Sequence, residues 1–358
     1  MSHKVTIVRG AVRAQLRGAS ERVRRLVGKE LSFYKAGYQH TRAFQTHRWD
    51  GKVRLLAKTG TYPAGLTERV TNLLEADCTV VVQDQRRWPE PTEQWGDVEP
   101  LLRSLRPYQK RALAAALEYR CGIFDHATGA GKTVLIGAII ARLRLPAIVL
   151  VHKRDILGQT RRRLAKYLGL PERRIGVIGE GHWDEQPVTV AMLQSLAGLR
   201  RRDTTYDGDD LRRFLQRFPV LLLDEAHHIT GKTFREVVDA CPAPYRFAFS
   251  ATPFRSKRQK ESHQETMLRL IGATGEVLDE FTHEEATEGG YLTPAYVTMI
   301  NWYGQEPNTG WEPNNFALDE RSLHWNELHA LGVCGLEPSK RRWNKKRSQS
   351  PPAQLSQW

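Results

Sequence analysis

The sequence predicts an α/β protein with a mostly parallel sheet and a phosphate-binding loop, preceded by a small basic α/β module and followed by a partly disordered tail. Three observations predict it. A glycine-containing loop at 127–133 follows a short apolar run and precedes a long one, strands and helices alternate after the loop, and positive charge is concentrated at the start of the chain. We expect domains at 1–98, 99–294 and 295–358.

Composition bounds the class of protein and of partner. With 358 residues the chain is long enough for two or three domains with a sizeable core. Its formal net charge is +14, and residues 1–88 hold 17 Lys and Arg against 7 Asp and Glu. Positive charge of this size strengthens binding to a polyanion, because bound counterions are released, so we expect nucleic acid as the partner. An acidic membrane surface is the alternative, but no long amphipathic basic helix supports it.

Cysteine usage and hydropathy indicate a cytoplasmic protein. The four cysteines are far apart and form no C-x-x-C pair, which argues against a disulfide framework and against a zinc site. No stretch approaches the roughly 20 apolar residues that span a bilayer, and the polar start lacks a signal-peptide core. We therefore expect no membrane partner.

The first module is predicted from five short periodic segments. They are strands at 4–8, 52–56 and 78–83 and helices at 21–31 and 66–75. Aromatic residues are interleaved with its basic residues, as in surfaces that stack bases, but aromatics are as often core residues. Both readings remain open for Phe33, Tyr34, Tyr38, Phe44, Trp49 and Tyr62. The acidic, proline-rich segment 87–100 then indicates a linker.

The loop that follows has the composition of a phosphate cradle. Small residues let backbone N–H groups surround a triphosphate at the start of a helix, and we assign this role to Thr128, Gly129, Ala130 and Gly131. Lys132 is expected to reach the β- and γ-phosphates, and the Thr133 hydroxyl to help hold Mg²⁺.

The cradle departs from the strict G-x-x-x-x-G-K-[ST] pattern at one position. The residue there is His126 instead of glycine, so Gly129 and Gly131 must supply the turn. About twenty residues upstream, a helix at 109–119 opens with Gln109, whose amide is placed to read an adenine edge.

Buried parallel strands are predicted at 146–151, 175–178, 188–192, 220–223 and 246–249. Ligands of such sheets lie beyond the carboxyl ends of the strands. There Asp224 is expected to hold the metal and Glu225 to orient and deprotonate the attacking water. Ser250 and Thr252 follow the last strand, where their hydroxyls would sense the γ-phosphate or contact His227.

Taken together, the motifs resemble the first lobe of DEAD/DEAH-box helicases of superfamily two. They occur in the family's order at 106–109, 127–133, 151–160, 191–196, 224–227 and 250–255. The segment 270–294 and the basic module in front are similar to those of UvsW-like and xeroderma-pigmentosum-B-like DNA repair and recombination helicases. The resemblance implies a RecA-like fold, ATP and Mg²⁺ as cofactors, and DNA in preference to RNA.

The resemblance also implies residue roles. His227 would couple the ATP site to Ser250 and Thr252. Segments that contact the nucleic-acid backbone in such helicases contain His152, Lys153, Gln159, Thr160, Gln194 and Ser195. The implied activity is DNA-stimulated ATP hydrolysis by a helicase or translocase.

Two other functions remain open, namely an ATP-binding DNA-binding protein without motor activity and the motor subunit of a restriction system. A second RecA-like lobe needs well over 100 residues, whereas about 64 follow residue 294. They have the bias of a disordered tail. We therefore expect a truncated or frame-shifted product that binds ATP and DNA but hydrolyses slowly, since the second lobe would supply the arginine fingers.

Overall fold

The computed structural model describes residues 3–199, 209–252 and 260–293. Residues up to Thr282 form one compact unit, and a second unit begins at His283. The tail expected at 295–358 lies outside the described residues.

A small mixed sheet forms the centre of the N-terminal module. Its elements are, in chain order, β1 (His3–Arg9), β2 (Arg13–Arg17), α1 (Glu21–Glu30), β3 (Ser32–Tyr34), α2 (Arg42–Gln45), β4 (Lys52–Arg54), β5 (Thr61–Pro63), α3 (Thr67–Glu75) and β6 (Cys78–Asp84). The strand order is β5-β2-β1-β6, with β1 antiparallel to β2 and parallel to β6. The strands β3 and β4 form a separate antiparallel pair.

Local sequence explains these elements. In β1 the side chains of Val5 and Ile7 share one face of the strand and are buried. The helix α1 begins after Ser20, whose Oγ accepts a hydrogen bond from the Val23 backbone N–H. The predicted β1, α1, α3, β4 and β6 are confirmed. The strand β2 was not predicted because its only apolar side chains are Ala14 and Leu16.

The larger sheet has eight strands in the order β10-β9-β11-β8-β12-β13-β7-β14. Its elements and flanking helices are α4 (Glu99–Ser104), α5 (Pro107–Tyr119), β7 (Cys121–His126), α6 (Lys132–Leu143), β8 (Ala147–Val151), α7 (Arg154–Tyr167), β9 (Ile175–Gly179), β10 (His182–Asp184), β11 (Val188–Met192), α8 (Leu193–Leu199), α9 (Asp209–Leu215), β12 (Val220–Asp224), α10 (Lys232–Ala240), β13 (Tyr245–Ser250), α11 (Lys260–Thr274) and β14 (Val277–Phe281). The described neighbours are parallel except β10, which is antiparallel to β9.

All five strands predicted beyond the loop are confirmed. They are recognisable because parallel strands covered on both faces are continuous apolar runs. The strand β14 was not predicted, because Asp279 and Glu280 interrupt its apolar pattern. Its pairing with β7 shows that it completes the edge of the sheet beside the phosphate-binding loop.

The large sheet separates two hydrophobic cores. Ile148 and Leu150 of β8 face one core, and Val149 and Val151 face the other. The first core also contains Val5 of the N-terminal module, so the small sheet and one face of the large sheet share a continuous apolar interior.

A glycine seam joins the N-terminal module, through α11, to the large sheet with its flanking helices, which we call the lobe. A Cβ on Gly65 would overlap the carbonyl oxygen of Ile271, and a Cβ on Gly272 would lie 2.9 Å from Cβ of Pro63. Only glycine permits this close approach. The module is therefore packed directly against the lobe.

The segment 87–98, which we call the strap, was predicted to be a linker but is fixed to the lobe. Trp95 Nε1 donates to the Ile140 carbonyl at 3.1 Å, and the Gly96 N–H donates to the Leu168 carbonyl at 2.9 Å. Trp88 packs edge-on against Tyr245 with ring centroids 4.9 Å apart. These contacts hold the strap along the N-terminal ends of the strands, away from the phosphate-binding loop.

In the second unit, the described residues contain the helix α12 (His283–Glu288) and the turn after it. Within the described part of the chain, no helix combines the length and the apolar character needed to cross a membrane.

Candidate nucleotide and nucleic-acid site

The phosphate-binding loop connects the end of β7 to the start of α6, as the sequence predicts. Gly129 and Gly131 have φ angles of +86° and +80°, a conformation that L side chains rarely adopt. Thr128 and Gly129 are exposed, whereas Ala130 is buried. Because Gly131 is the N-cap of the 12-residue α6, its following N–H groups and the helix dipole favour an anion here.

Lys132 lies beneath the loop. Its Nζ donates to the carbonyl oxygens of His126 and Ala127 at 3.2 and 3.4 Å. Burial lowers the pKa of Lys132, and the nearby carboxylates Glu225 and Asp224 oppose that shift. The ammonium group is therefore poised between the loop and the acidic pair.

The acidic pair lies at the end of β12, where Asp224 is the last residue of the strand and Glu225 follows it. Burial, and secondarily the charge of Glu225, raises the pKa of Asp224 to about 6. Glu225 has a φ of +52°, which is uncommon for a residue other than glycine. The site thus contains two carboxylates and one nearby cation, Lys132. Its negative charge exceeds its positive charge, and Mg²⁺ would balance the difference.

The residues present therefore fit Mg²⁺-ATP. Hard oxygen ligands suit Mg²⁺, which is commonly held by one or two protein groups together with phosphates. The Thr133 hydroxyl and Asp224 are the candidate ligands. Among the described residues no group of three or more His, Cys, Asp or Glu side chains is arranged to hold a metal without a substrate.

Asp125 is an additional carboxyl group of the site that the motif reasoning missed. It lies at the end of β7, in register with Ser250 of β13 and Glu280 of β14. Burial, then the charge of Glu280, raises the pKa of Asp125 to about 7, and Lys132 opposes the shift. The available signal was an acidic residue near the end of an apolar strand, two positions before the loop.

Gln109 is placed against the loop instead of projecting into open space. The side chain is 4% exposed, its Oε1 accepts from the Arg106 N–H at 3.0 Å, and its Nε2 donates to the Ala130 carbonyl at 3.2 Å. Gln109 therefore supports the loop in this structure, and its role in reading adenine stays a prediction.

The predicted coupling residues are brought together. His227 Nδ1 lies 3.3 Å from Ser250 Oγ and 3.3 Å from Glu225 Oε2. Ser250 is buried, and its Oγ accepts from the Thr252 N–H at 3.2 Å. The structure thus connects the carboxylate proposed as general base to the end of β13 through His227.

The residues assigned to nucleic acid fall into three sets. His152 and Gln194, which follow β8 and β11, meet with Nδ1 and Nε2 3.5 Å apart. The remaining positions are Lys153 and Gln159, which are exposed, and Ser195, which is partly buried. Thr160 is 2% exposed because it lies on the core-facing side of α7, and its contact with nucleic acid stays a prediction.

The aromatic residues of the N-terminal module mostly serve packing. Phe33 and Tyr62 are buried in its core, so they do not stack bases. The rings of Tyr34 and Tyr38 stack with centroids 4.8 Å apart, and Lys52 lies over Tyr34 at 4.8 Å.

We call residues 35–51, which connect β3 to β4, the arm. The arm presents basic groups rather than open aromatic faces. Phe44 packs edge-on against Tyr38, and Trp49 Nε1 donates to the Lys52 carbonyl at 2.8 Å. These rings hold the arm together. Lys35, Arg42 and Arg48 are exposed on it, which suits contact with phosphates.

Family models match two parts of the chain. Residues 103–255 match the model described as type III restriction enzyme, res subunit, and residues 14–82 match the model described as DNA helicase UvsW, N-terminal. The chain is 30% identical over 159 residues to the "DNA 3'-5' translocase XPB2" of Sulfurisphaera tokodaii. This alignment covers 44% of the chain and 33% of that protein, so the chain spans about a third of its length.

A second relative and a solved structure align over more of the chain. The "ATP-dependent DNA helicase uvsW" of Enterobacteria phage T4 is 23% identical over 301 residues, which cover 75% of this chain and 55% of that protein. A crystal structure of the UvsW helicase from bacteriophage T4 superposes with a TM-score of 0.61 at 18% identity, covering 78% of this chain and 100% of that one. The RecA-like fold class and the similarity to UvsW-like and XPB-like superfamily-two helicases are confirmed.

Proposed function

We propose that this chain is an ATP-dependent DNA helicase or translocase of the DEAD/DEAH-box type that acts in DNA repair or recombination. In this proposal residues 1–98 contact nucleic acid and residues 99–294 form the ATP-binding lobe. The observation that best supports this proposal is that Lys132, Asp224 and Glu225 lie together at the carboxyl edge of a parallel sheet, beside the glycine loop. This set of groups suits phosphoryl transfer to water.

Each residue has a defined task in the proposed reaction. The N–H groups of 129–133 bind the phosphates, and Lys132 exchanges its carbonyl partners for the β- and γ-phosphates. Glu225 orients the attacking water and accepts its proton. Thr133 and Asp224 would hold Mg²⁺, which would supply neutralisation of charge on the phosphates when bound. Because His227 contacts both Glu225 and Ser250, it is suited to transmit the presence of DNA to the base.

Two substitutions test the assignment of the ATP site. Lys132→Ala removes the phosphate-binding cation and should weaken nucleotide binding by about tenfold or more. Glu225→Gln keeps the shape of the side chain, so nucleotide affinity should change less than about twofold while hydrolysis falls by about 10²-fold or more. Phosphate release by Glu225→Gln at the parent rate would show that Glu225 is not the base.

DNA dependence is tested on the intact chain. Phosphate release should increase with single-stranded or forked DNA and respond less to RNA. The basic N-terminal module and the meeting of His152 with Gln194 at the carboxyl edge of the sheet support this proposal. Equal rates with and without every nucleic acid would instead favour an ATP-binding, DNA-binding protein without motor activity.

A restriction-system motor is the second candidate, and the family description that matches 103–255 supports it. A metal-dependent nicking assay on the Glu225→Gln protein separates the two candidates, because hydrolysis is then suppressed while any nuclease site stays intact. We expect no nicking. DNA cleavage that persists in this variant would favour the restriction function.

We also propose that the protein acts in the cytoplasm. Cys78, Cys121 and Cys241 are buried free thiols, which is the usual state of cysteine in a reducing compartment.

A further inference from the structure

The loop begins at an unusual residue. His126, at the position where the strict phosphate-loop pattern has glycine, is 1% exposed and ends β7. Its Nε2 lies 2.7 Å from Oδ2 of Asp279, and its Nδ1 is buried without a hydrogen-bond partner among the described residues. Burying a polar ring nitrogen costs free energy unless the nitrogen is hydrogen-bonded, so the contact of Nε2 with Asp279 offsets part of the cost of burying this imidazole.

Asp279 connects His126 to a third residue. The carboxylate is 5% exposed on β14, and its Oδ1 accepts from Nε of Arg111 at 2.5 Å. Arg111 extends from α5 toward β14, and its Nη2 also donates to the Glu280 carbonyl of β14 at 3.0 Å. Burial would raise the pKa of Asp279, but the hydrogen bonds from His126 and Arg111 outweigh it and hold the pKa below the ordinary value. The carboxylate is therefore ionised and shared between both residues.

The same elements fix the loop at two further points. The Ala127 N–H donates to the Phe281 carbonyl of β14 at 2.9 Å. Tyr108 of α5 stacks on Phe281 with ring centroids 3.8 Å apart, and its Oη donates to the Ala130 carbonyl at 2.8 Å. The start and middle of the loop are thus held by α5 and β14, and the Arg111–Asp279 pair is the charged link between those two elements.

We propose that Arg111, Asp279 and His126 form a relay that positions the phosphate-binding loop. The buried His126 and Asp279 are positioning residues for nucleotide binding, and Arg111 is the half-exposed end of the relay. The inference rests on the proposed ATP site but adds residues outside the recognised motifs. Because His126 also offers its carbonyl to Lys132, the relay fixes the atom that Lys132 must leave when it turns to phosphate. Fixing a binding loop in advance favours affinity by lowering the ordering cost of binding.

The variants are chosen to remove the relay with little loss of volume. Asp279→Asn keeps the shape but loses the charge, His126→Asn shortens the link to β14, and Arg111→Gln alters the half-exposed end. Lys110→Gln, on the exposed neighbouring residue of α5, controls for loss of positive charge. Glu30→Gln breaks the 2.6 Å ion pair with Arg69 in the distant N-terminal module and controls for lost stability.

The first measurement needs no nucleotide. Hydrogen exchange at the Ala127 amide should accelerate by about tenfold or more in Asp279→Asn and His126→Asn, because opening β14 from the loop exposes that amide. Lys110→Gln and Glu30→Gln should leave exchange there within about twofold of the parent. Arg111→Gln should fall between these groups and keeps the test available if the two buried variants do not fold.

The second measurement is the dissociation constant for a fluorescent ATP analogue at equal folded fraction. The relay variants should bind about tenfold more weakly, whereas both controls bind as the parent does. Unchanged loop exchange and unchanged affinity in Asp279→Asn would overturn the relay. Failure of the parent to bind nucleotide would reject the ATP site itself, and the exchange data would still report on the relay's grip on the loop.

Discussion

The Nδ1 atom of His227 lies 3.3 Å from the Oγ of Ser250, across from the carboxylate of Glu225. Strand β13, which Ser250 ends, runs between β12 and β7, so this contact spans the centre of the site.

Removing that contact is expected to uncouple DNA from hydrolysis. Ser250→Ala deletes only the hydroxyl that contacts His227, so nucleotide affinity should stay within about twofold while DNA stimulation falls by about tenfold. The measurement is phosphate release with and without single-stranded DNA. Thr189→Val, which removes a buried hydroxyl from β11, is the matched control and should keep the stimulation. Full stimulation of Ser250→Ala would refute this route of coupling.

The left-handed backbone conformation at Glu225 is expected to lower the free energy of unfolding, although hydrolysis requires the side chain at this position. A non-glycine residue in that region costs about 1–2 kcal/mol, so Glu225→Gly should stabilise the protein by about 1 kcal/mol while abolishing hydrolysis. His47→Gly removes the same kind of strain at φ +55° in the arm and should stabilise similarly without affecting hydrolysis. Urea unfolding and phosphate release measure both effects, and a destabilised Glu225→Gly would contradict the argument.

The pKa of Asp125 predicts a pH dependence of stability. Because the folded-state pKa of about 7 exceeds the ordinary aspartate pKa of 3.8, protonated Asp125 stabilises the fold fully below pH 3.8, and this contribution is lost as pH rises through 7. Asp125→Asn lacks this titration, so its advantage in stability over the parent should grow as the pH rises from 5 to 8.

Solvent screening reduces the size of that effect. We expect the gain of Asp125→Asn to be about 1–2 kcal/mol, below the full value for a wholly buried carboxyl. Urea unfolding at pH 5 and 8 measures it, and Glu118→Gln on the exposed face of α5 is the control. A difference between parent and Asp125→Asn that does not vary with pH would contradict the assigned environment.

The glycine seam predicts a large effect from a single methyl group. Gly65→Ala places a Cβ into the backbone of α11 at Ile271, so we expect a loss of about 3 kcal/mol or more. Gly198→Ala in α8 meets no atom within 4 Å and should instead stabilise by about 0.5–1 kcal/mol. Thermal unfolding compares them. Equal stability of the two variants would mean that the module does not pack against α11 in this way.

The arm predicts a salt-dependent contribution to DNA binding. Arg42→Gln together with Arg48→Gln should lower the slope of log affinity against log salt by about 2, because each phosphate contact contributes about 0.9. Arg173→Gln changes an exposed residue that precedes β9, at the opposite end of the sheet from the loop, and should leave the slope unchanged. An unaltered slope in the double variant would exclude the arm as a phosphate contact.

The parallel strands and the loop were predictable because their signals are local. A run of buried β-branched residues such as that in β8, or glycines before Lys132, carries its meaning within a few positions. The relay was not predictable, because Asp279 lies 153 residues from His126 and 168 residues from Arg111. Its carboxylate interrupts the apolar pattern of β14, and only the folded chain supplies the partners that allow its burial.

Gly65 and Thr160 show the same limit. A glycine between Ala64 and Leu66 has no special meaning until α11 approaches its backbone. Thr160 belongs to a motif segment, but its place on α7 determines that the residue is buried.

The core that the N-terminal module shares with the lobe also determines how two nucleic-acid contacts would combine. Modules on a flexible tether assist each other through an effective concentration that depends on tether length. Here the module packs directly against the lobe at the glycine seam instead of hanging on a tether, so contacts made by the arm and by His152 would engage a strand in one fixed register. Inserting residues into the strap should consequently leave DNA affinity nearly unchanged. A substitution that separates the module from α11 at the seam should instead make the joint contribution of the two contacts depend on the length of the strap.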